Sequence, residues 1–370
     1  MSKLSLGMLS AFWPEGVFRY INVPLQTVTE ACVHRPASTA PSAVALVSPE
    51  QTMSYGELSR RVREGAAALR ERGVEGRRTA IALTAPMERV VWLLAALEAG
   101  ALVAPAGMEG AELVIGGEAL PGQERLLPEE LAGDDQPPAG RPDLRAPRLA
   151  LPAPGGEVLY GHRQLVAMAL AWGAFFQLGP EATTALLVPP ADWLGLAALL
   201  GALCRGAAVL LRWSGRGAGV TVDYLVLRWR DAGDADVAAW RGRVRLGALV
   251  GIEGPFQAWP RRRLARTLET PALTVLGRND LGPYVASHPE WSLADAAGIV
   301  LCNADLHPLD PSDGHPLPVG WDLVEAAEIG VKSPAVPQGA QVVEDGWART
   351  HLLAHIDPSG LYYLRRSLQL

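Results

Sequence analysis

Hydrophobic positions along this chain recur in two rhythms. Ser54, followed three residues later by Glu57, reads as a capping box, and Leu58, Val62, Ala66 and Leu69 then repeat at helical spacing until Gly73 stops the helix. A strand is predicted at Thr79 to Thr84, then an apolar helix from Met87 to Glu98 closed by Gly100, then a strand at Ala101 to Ala104. Short apolar strands alternating with helices indicate parallel βαβ construction. Ala132 to Arg148 is rich in Pro, Gly and Asp, has no sustained apolar period and reads as a surface connection between two halves.

The alternation then resumes. Helices are predicted at His162 to Gln177, Trp193 to Leu203 and Trp259 to Leu268. Strands are predicted at Thr184 to Val188, Ala207 to Leu211, Tyr224 to Trp229, Leu246 to Val250 and Leu273 to Leu276. A second doubly wound sheet accounts for this pattern. After Asp280 the texture changes to short β-like runs separated by turn signals, Asp310-Pro311-Ser312-Asp313-Gly314 and Asp357-Pro358-Ser359-Gly360. The expected organisation is a first α/β subdomain over 1–140, a second over 145–276 and a small β-barrel over 277–370. No repeat at a fixed period is present.

Composition narrows the function classes. With 49% hydrophobic residues in 370 and a net charge of −6, the chain can bury a large core and is not disordered. That balance offers no basic footprint for nucleic acid. Trp193 to Leu211 is the most membrane-like run, but Arg205 and Gly206 divide it into a core helix and a strand. The N-terminus carries only Lys3 and no long apolar run, so no signal peptide is read and a cytoplasmic location is expected. Cys32, Cys204 and Cys302 lack metal-ligand or disulfide spacing and read as core thiols. Lys3 and Lys332 are the only lysines.

Several segments, in order, resemble the adenylate-forming superfamily of acyl-CoA synthetases and peptide-synthetase adenylation domains. Thr52-Met53-Ser54-Tyr55-Gly56-Glu57-Leu58 resembles its L-T-Y-x-E-L, and Ala96 to Pro105 its L-x-A-G-x-x-x-x-P turn. The C-terminal third is more specific: Asp313 to Pro318 resembles D-G-x-x-L-P, and Glu328 to Pro334 resembles G-E-I-x-V-R-G-P. Asp345 to Thr350 resembles D-G-W-x-x-T, and Asp357 to Tyr363 resembles D-x-x-G-Y-x-x. The resemblance covers nearly the whole chain. It implies two α/β subdomains and a β-barrel, in agreement with the periodicity.

The same resemblance implies acid activation by ATP, in which two anions must be brought together by cations and aligned N–H dipoles. The family's phosphate loop is rich in Ser, Thr and Gly and ends in P-K-G. Leu149 to Glu157 stands there without Ser, Thr or Lys, is several residues shorter, and loses amide donors at Pro152 and Pro154. Thr350-His351-Leu352 replaces the ribose-binding T-G-D. The chain ends at Arg365-Arg366-Ser367-Leu368-Gln369-Leu370, where the family's hinge begins, so the lysine-bearing lid domain is expected to be absent.

Other positions keep two readings. Gly277-Arg278-Asn279-Asp280 stands at Y-G-x-T-E, where Asp280 either replaces the magnesium-binding glutamate or is a solvated turn residue. Gly251-Ile252-Glu253-Gly254-Pro255 is either the loop lining an acid pocket or a plain strand-to-helix turn. Asp192 pairs with a substrate amino group or caps the following helix, and Trp193 lines an acyl pocket or packs in the core. His162 opens a helix at the family's S-H-R-N position. Asp192, Trp193, Gly251, Gly254, Gly277 and Asn279 are thus the candidate substrate-binding set, and Asp280 the candidate metal ligand.

The expectation is a degenerate acyl or aryl-CoA synthetase-like protein of a biosynthetic pathway. It would bind an acyl group or an acyl carrier protein, as a pseudoenzyme or as an acyltransferase using a pre-activated thioester of CoA or phosphopantetheine. ATP and magnesium are not expected. The alternative is an ATP-dependent ligase completed by a partner. A second copy or a pathway protein is expected on the face the lid would cover.

Overall fold

The computed structural model describes residues 12–131, 133–134, 142–211, 219–231, 235–254, 258–291, 293, 295–318, 324–356 and 360–367. Two large sheets carry the fold. The first has nine strands in the order Ile299–Val300, Gly282–Ala286, Ala272–Arg278, Val244–Ile252, Val222–Arg228, Thr183–Leu186, Ala208–Leu211, Val44–Val47 and Thr52–Ser54. Its central strands run parallel, and antiparallel strands close both edges. The second has six strands in the order Glu124–Leu126, Leu113–Ile115, Arg78–Ile81, Leu102–Ala104, Pro147–Ala153 and Gly156–Gly161, antiparallel only in its last pair.

Four helices, Tyr55–Glu71, Pro86–Ala99, His162–Phe175 and Trp193–Cys204, share one apolar core with strands of both sheets. The starts of two of them follow from sequence. The Ser54 hydroxyl accepts from the Glu57 N–H at 3.2 Å, and the Asp192 carboxylate accepts from the Gly195 N–H at 3.1 Å, each satisfying a donor that the first turn leaves orphaned. Trp193–Cys204 is buried almost all round, which is why it reads as membrane-like while lying inside the molecule. Among the described residues no helix is long and apolar enough to cross a membrane.

A four-stranded antiparallel sheet, Asp305–Leu309, Val324–Lys332, Ala348–Ile356 and Tyr362–Ser367, forms the small β-unit. Sheet membership does not divide the chain at 140–145 or at 277. Val44–Val47 and Thr52–Ser54 join the nine-stranded sheet of the later residues. Pro147–Ala153 and Gly156–Gly161 join the six-stranded sheet of the earlier ones, and Gly282–Ala286 extends the nine-stranded sheet beyond residue 277. Two crossovers therefore lock the halves together. Parts of the segment read as a surface connection, residues 132 and 135–141, lie outside the described residues.

Candidate functional site

The stretch that stands at the phosphate-loop position is a β-hairpin. Ala153 pairs with Gly156 and Pro152 with Glu157, so the connection is the two residues Pro154 and Gly155. Gly155 has φ +88°, a left-handed conformation that glycine adopts without steric cost. The far edge of the hairpin is covered, because Leu159 and Gln338 exchange backbone hydrogen bonds at 2.9 Å in both directions. Glu157 is not a bare negative charge. It pairs with Arg78 at 2.5 Å, and this hydrogen-bonded contact holds its carboxyl below the usual range.

Asn279 ties the hairpin to the next element. Its amide N–H donates to the Pro152 carbonyl at 2.8 Å, its side-chain oxygen accepts from the Trp193 N–H at 2.9 Å, and its own carbonyl accepts from the Tyr160 hydroxyl at 2.6 Å. Asn279 is therefore a clamp holding the hairpin, the strand end and the helix N-terminus in one geometry.

Trp193 is 2% exposed, and its Nε1–H donates to Glu253 at 3.0 Å. Its ring lies directly over Gly277: a Cβ built there would sit 2.4 Å from Trp193 Cε3, a distance no side chain tolerates. Leu194 similarly fills the space over Gly251, where a Cβ would sit 2.4 Å from Cδ2. Of the expected substrate set, Trp193, Gly277 and Asn279 meet one another, with the indole filling the space between. Gly251 faces Leu194 in the same helix. Gly254 is half-buried, and Pro255 of its motif lies outside the described residues.

Asp192 combines its helix-capping role with an ion pair to Arg228. Asp280 likewise has a protein partner. Arg278 Nε donates to Oδ1 at 2.5 Å and Nη2 to Oδ2 at 2.7 Å, a bidentate pair that occupies both carboxylate oxygens. The other Arg278 hydrogen bonds go to the carbonyls of Thr350 at 2.7 Å and Arg349 at 3.1 Å. Burial disfavours the Arg278 charge, yet the Asp280 contact outweighs it and raises the guanidinium above its ordinary value. No group of three or more His, Cys, Asp or Glu residues is arranged to hold a metal among the described residues. Asp280 thus stands as one arm of an ion pair, where the sequence admitted a magnesium ligand.

At the ribose-motif position, Thr350 donates its hydroxyl to the Ile329 carbonyl at 2.7 Å and Leu352 is buried. His351 adopts φ +56°, and its backbone N–H donates to Glu328 at 2.9 Å. Glu328, fully buried, pairs with Arg349 at 2.5 Å. The contact raises the Arg349 guanidinium against the opposing effect of burial.

His162 is buried, and its Nδ1 accepts from the Val28 N–H at 3.3 Å. Burial, helped by Arg148, pushes its pKa down to about 4, so the ring is neutral and serves packing at the helix start. The Cys32 thiol donates to the Leu200 carbonyl at 3.4 Å and lies near Cys204, a meeting of two helices that their sequence spacing does not reveal.

Residues 33–112 match the family model described as AMP-binding enzyme. No curated protein is significantly similar in sequence. Among solved structures, ATP-bound MatB from Rhodopseudomonas palustris superposes with a TM-score of 0.75 at 18% identity, over 92% of this chain and 79% of its own. A double mutant of o-succinylbenzoate CoA synthetase, MenE, from Bacillus subtilis gives 0.76 at 17%, over 92% and 78%. The anthranilate CoA ligase AuaEII, in complex with anthranoyl-AMP, gives 0.78 at 15%, over 93% and 78%. The chain has the fold of the adenylate-forming enzymes' N-terminal domain, as the motifs imply.

Proposed function

We propose that this chain uses the adenylate-forming fold as a binding module for an acyl carrier protein and its acyl or aryl cargo, and does not activate acids with ATP. The observation that carries this reading is the bidentate Arg278–Asp280 pair. It commits the carboxylate at the family's magnesium position and fills the approach to the ribose position with a guanidinium bound to the carbonyls of Thr350 and Arg349. A metal ion there would compete with a buried, hydrogen-bonded cation for the same carboxylate.

Two further features support it. The hairpin at 147–161 commits its backbone groups to a sheet, and the Trp193 indole fills the space over Gly277. An acyl group is then received at the protein surface with its carrier, without deep burial along the Ala272–Arg278 strand.

The test has two arms. Exchange of radiolabelled pyrophosphate into ATP, across a panel of aryl and acyl acids, stays at background, and acylated holo-carrier protein binds without ATP in a calorimeter. Acid-dependent exchange, or micromolar affinity for ATP, refutes the proposal in favour of the ligase reading.

A further inference from the structure

Along the 331–338 segment lie two open cavities of about 570 and 330 Å³ that share lining residues. Both are lined by Arg163, Ser333, Pro334 and Val336. The larger extends to Lys332 and the 20–23 segment, and the smaller to Arg145 and Gln338. None of the residues at the Arg278–Asp280 and Trp193–Gly277 contacts lines either one.

The charges in this groove are one-sided. Lys332, Arg163 and Arg145 stand along it, and the carboxylate in its lining, Asp305, is already engaged by Arg19 at 3.2 Å and by the Tyr20 hydroxyl at 2.7 Å. Elsewhere on this surface, Arg60, Arg77, Arg241 and Arg245 each have a carboxylate partner. Arg145 and Arg163 are exposed and have no such partner among the described residues. Lys332 is held with its ammonium 4.2 Å from the Trp347 ring centroid, which fixes its position without neutralising it. One of two lysines in an acidic chain therefore lines the same groove as two arginines that have no carboxylate partner among the described residues.

The walls are tied together. The Arg163 N–H donates to the Leu144 carbonyl at 3.3 Å, and Gln338 Nε2 donates to the Arg145 carbonyl at 3.0 Å. The Ser333 hydroxyl oxygen accepts from the Ala335 N–H at 3.1 Å, which leaves its proton free to donate into the groove. Arg163 also lies in the first turn of His162–Phe175, at the positive end of the helix dipole.

We propose that this groove is a binding site for a small molecule bearing phosphate or diphosphate. Planar guanidinium forks match phosphate oxygens two at a time, and a third cation along the same groove suits a group carrying more than one negative charge. The volumes of about 570 and 330 Å³ match those of small-molecule sites. The site is separate from the cleft on which the proposed function rests, and neither reading depends on the other.

The test is calorimetric titration with inorganic pyrophosphate at low salt. Saturable binding is expected. It should weaken about tenfold in Arg163→Gln and about a hundredfold in Arg145→Gln/Arg163→Gln, as for loss of charge-assisted hydrogen bonds. It should be partly kept in Arg145→Lys/Arg163→Lys and unchanged in Arg60→Gln. Raising the salt should weaken it. Absence of binding up to about 10 mM pyrophosphate, well beyond the range of specific sites, overturns the proposal. So does equal affinity in the double glutamine variant with an unchanged circular dichroism spectrum, or tighter binding of an acidic protein than of pyrophosphate. The pyrophosphate exchange assay reads the other cleft, so failure here leaves the proposed function standing.

Discussion

Replacing Trp193 by alanine tests whether its indole fills the space that an acid pocket would occupy. The side chain is 2% exposed and packs on the backbone of Gly277, so its removal takes away most of an aromatic surface. A buried Trp covers roughly 150–250 Å², which at about 25 cal/mol per Å² gives about 4–6 kcal/mol, an upper estimate because the unfolded chain is partly compact. Buried Trp-to-Ala substitutions span about 3–5 kcal/mol. The hydrogen bond to Glu253 adds little, because that carboxylate is exposed and water replaces the bond. We expect about 4 kcal/mol, read as a shift of the urea midpoint by far-ultraviolet circular dichroism.

The stronger assay is a double-mutant cycle with Gly277→Ala. A Cβ at 277 meets Trp193 Cε3 at 2.4 Å, so the single substitution must displace the indole or the strand, at an overpacking cost of about 1–3 kcal/mol. In the Trp193→Ala background the same methyl enters empty space and should cost less than about 0.5 kcal/mol or stabilise the protein by filling the cavity. The coupling energy is therefore at least about 0.5 kcal/mol. Equal costs of Gly277→Ala in both backgrounds would show that the indole does not occupy that space, and the explanation offered here for the glycine would fail.

Arg278→Ala leaves the Asp280 carboxylate, whose side chain is 5% exposed, without its partner, and should cost about 3–5 kcal/mol by urea unfolding. Arg60→Ala, which breaks the exposed pair with Glu64, should cost under about 0.5 kcal/mol. The pH dependence follows from His162. Its folded pKa of about 4 lies below the ordinary 6.5, so between these values the unfolded chain binds the extra proton, and stability falls as pH drops through that window. At about 1.4 kcal/mol per unit, the loss from this group is about 3 kcal/mol. Melting temperatures of wild type and His162→Gln between pH 7 and 4 should converge on acidification, and parallel curves would show that the buried ring is not the titrating group. Glu98, whose carboxyl is lowered by His34, Thr29 and Arg70 against the opposing effect of burial, loses stability in the same direction in both proteins, and its charge opposes the lowering of the His162 pKa.

Much of the helical framework is legible because its signals are local. Ser54 and Glu57 lie within one turn of the helix they start, and Gly100 ends the apolar run 87–98 as expected. Asp192 is ambiguous in sequence because capping a helix and binding an amine both call for an exposed acceptor. The structure gives it Gly195 and Arg228, and Arg228 lies on a strand that no local pattern connects to it. The hairpin at 147–161 is missed for a similar reason. Pro147 and Pro152 argue against an internal strand, yet Pro147–Ala153 pairs with the edge strand Gly156–Gly161, which is itself covered by Gln338. Strands Val44–Val47 and Thr52–Ser54 are too short to declare a sheet; the parallel register of Val44–Val47 with Ala208–Leu211, and the antiparallel pairing of Thr52–Ser54 on Val44–Val47, assign them to the later half. The contacts that change the site, Trp193 on Gly277 and Asn279 on Pro152, are set by tertiary packing and carry no motif.

The hairpin also bears on whether restoring one lysine would restore nucleotide binding. A phosphate cradle works through several backbone N–H groups that point at the ligand and have no partner without it. Here residues 149–153 are paired with 156–160, the Leu159 N–H is bonded to Gln338, and Pro152 and Pro154 have no N–H at all. A lysine introduced at Ala153 would add charge at the turn while the donors around it remained committed to the sheet, with Asn279 clamping the Pro152 carbonyl. Binding a triphosphate then means opening the hairpin and breaking the bond that ties Asn279 to the Pro152 carbonyl. The departure from the family's chemistry lies in how backbone hydrogen bonds are allocated as much as in which side chains remain, so single substitutions toward the family's motif should not bring ATP binding back.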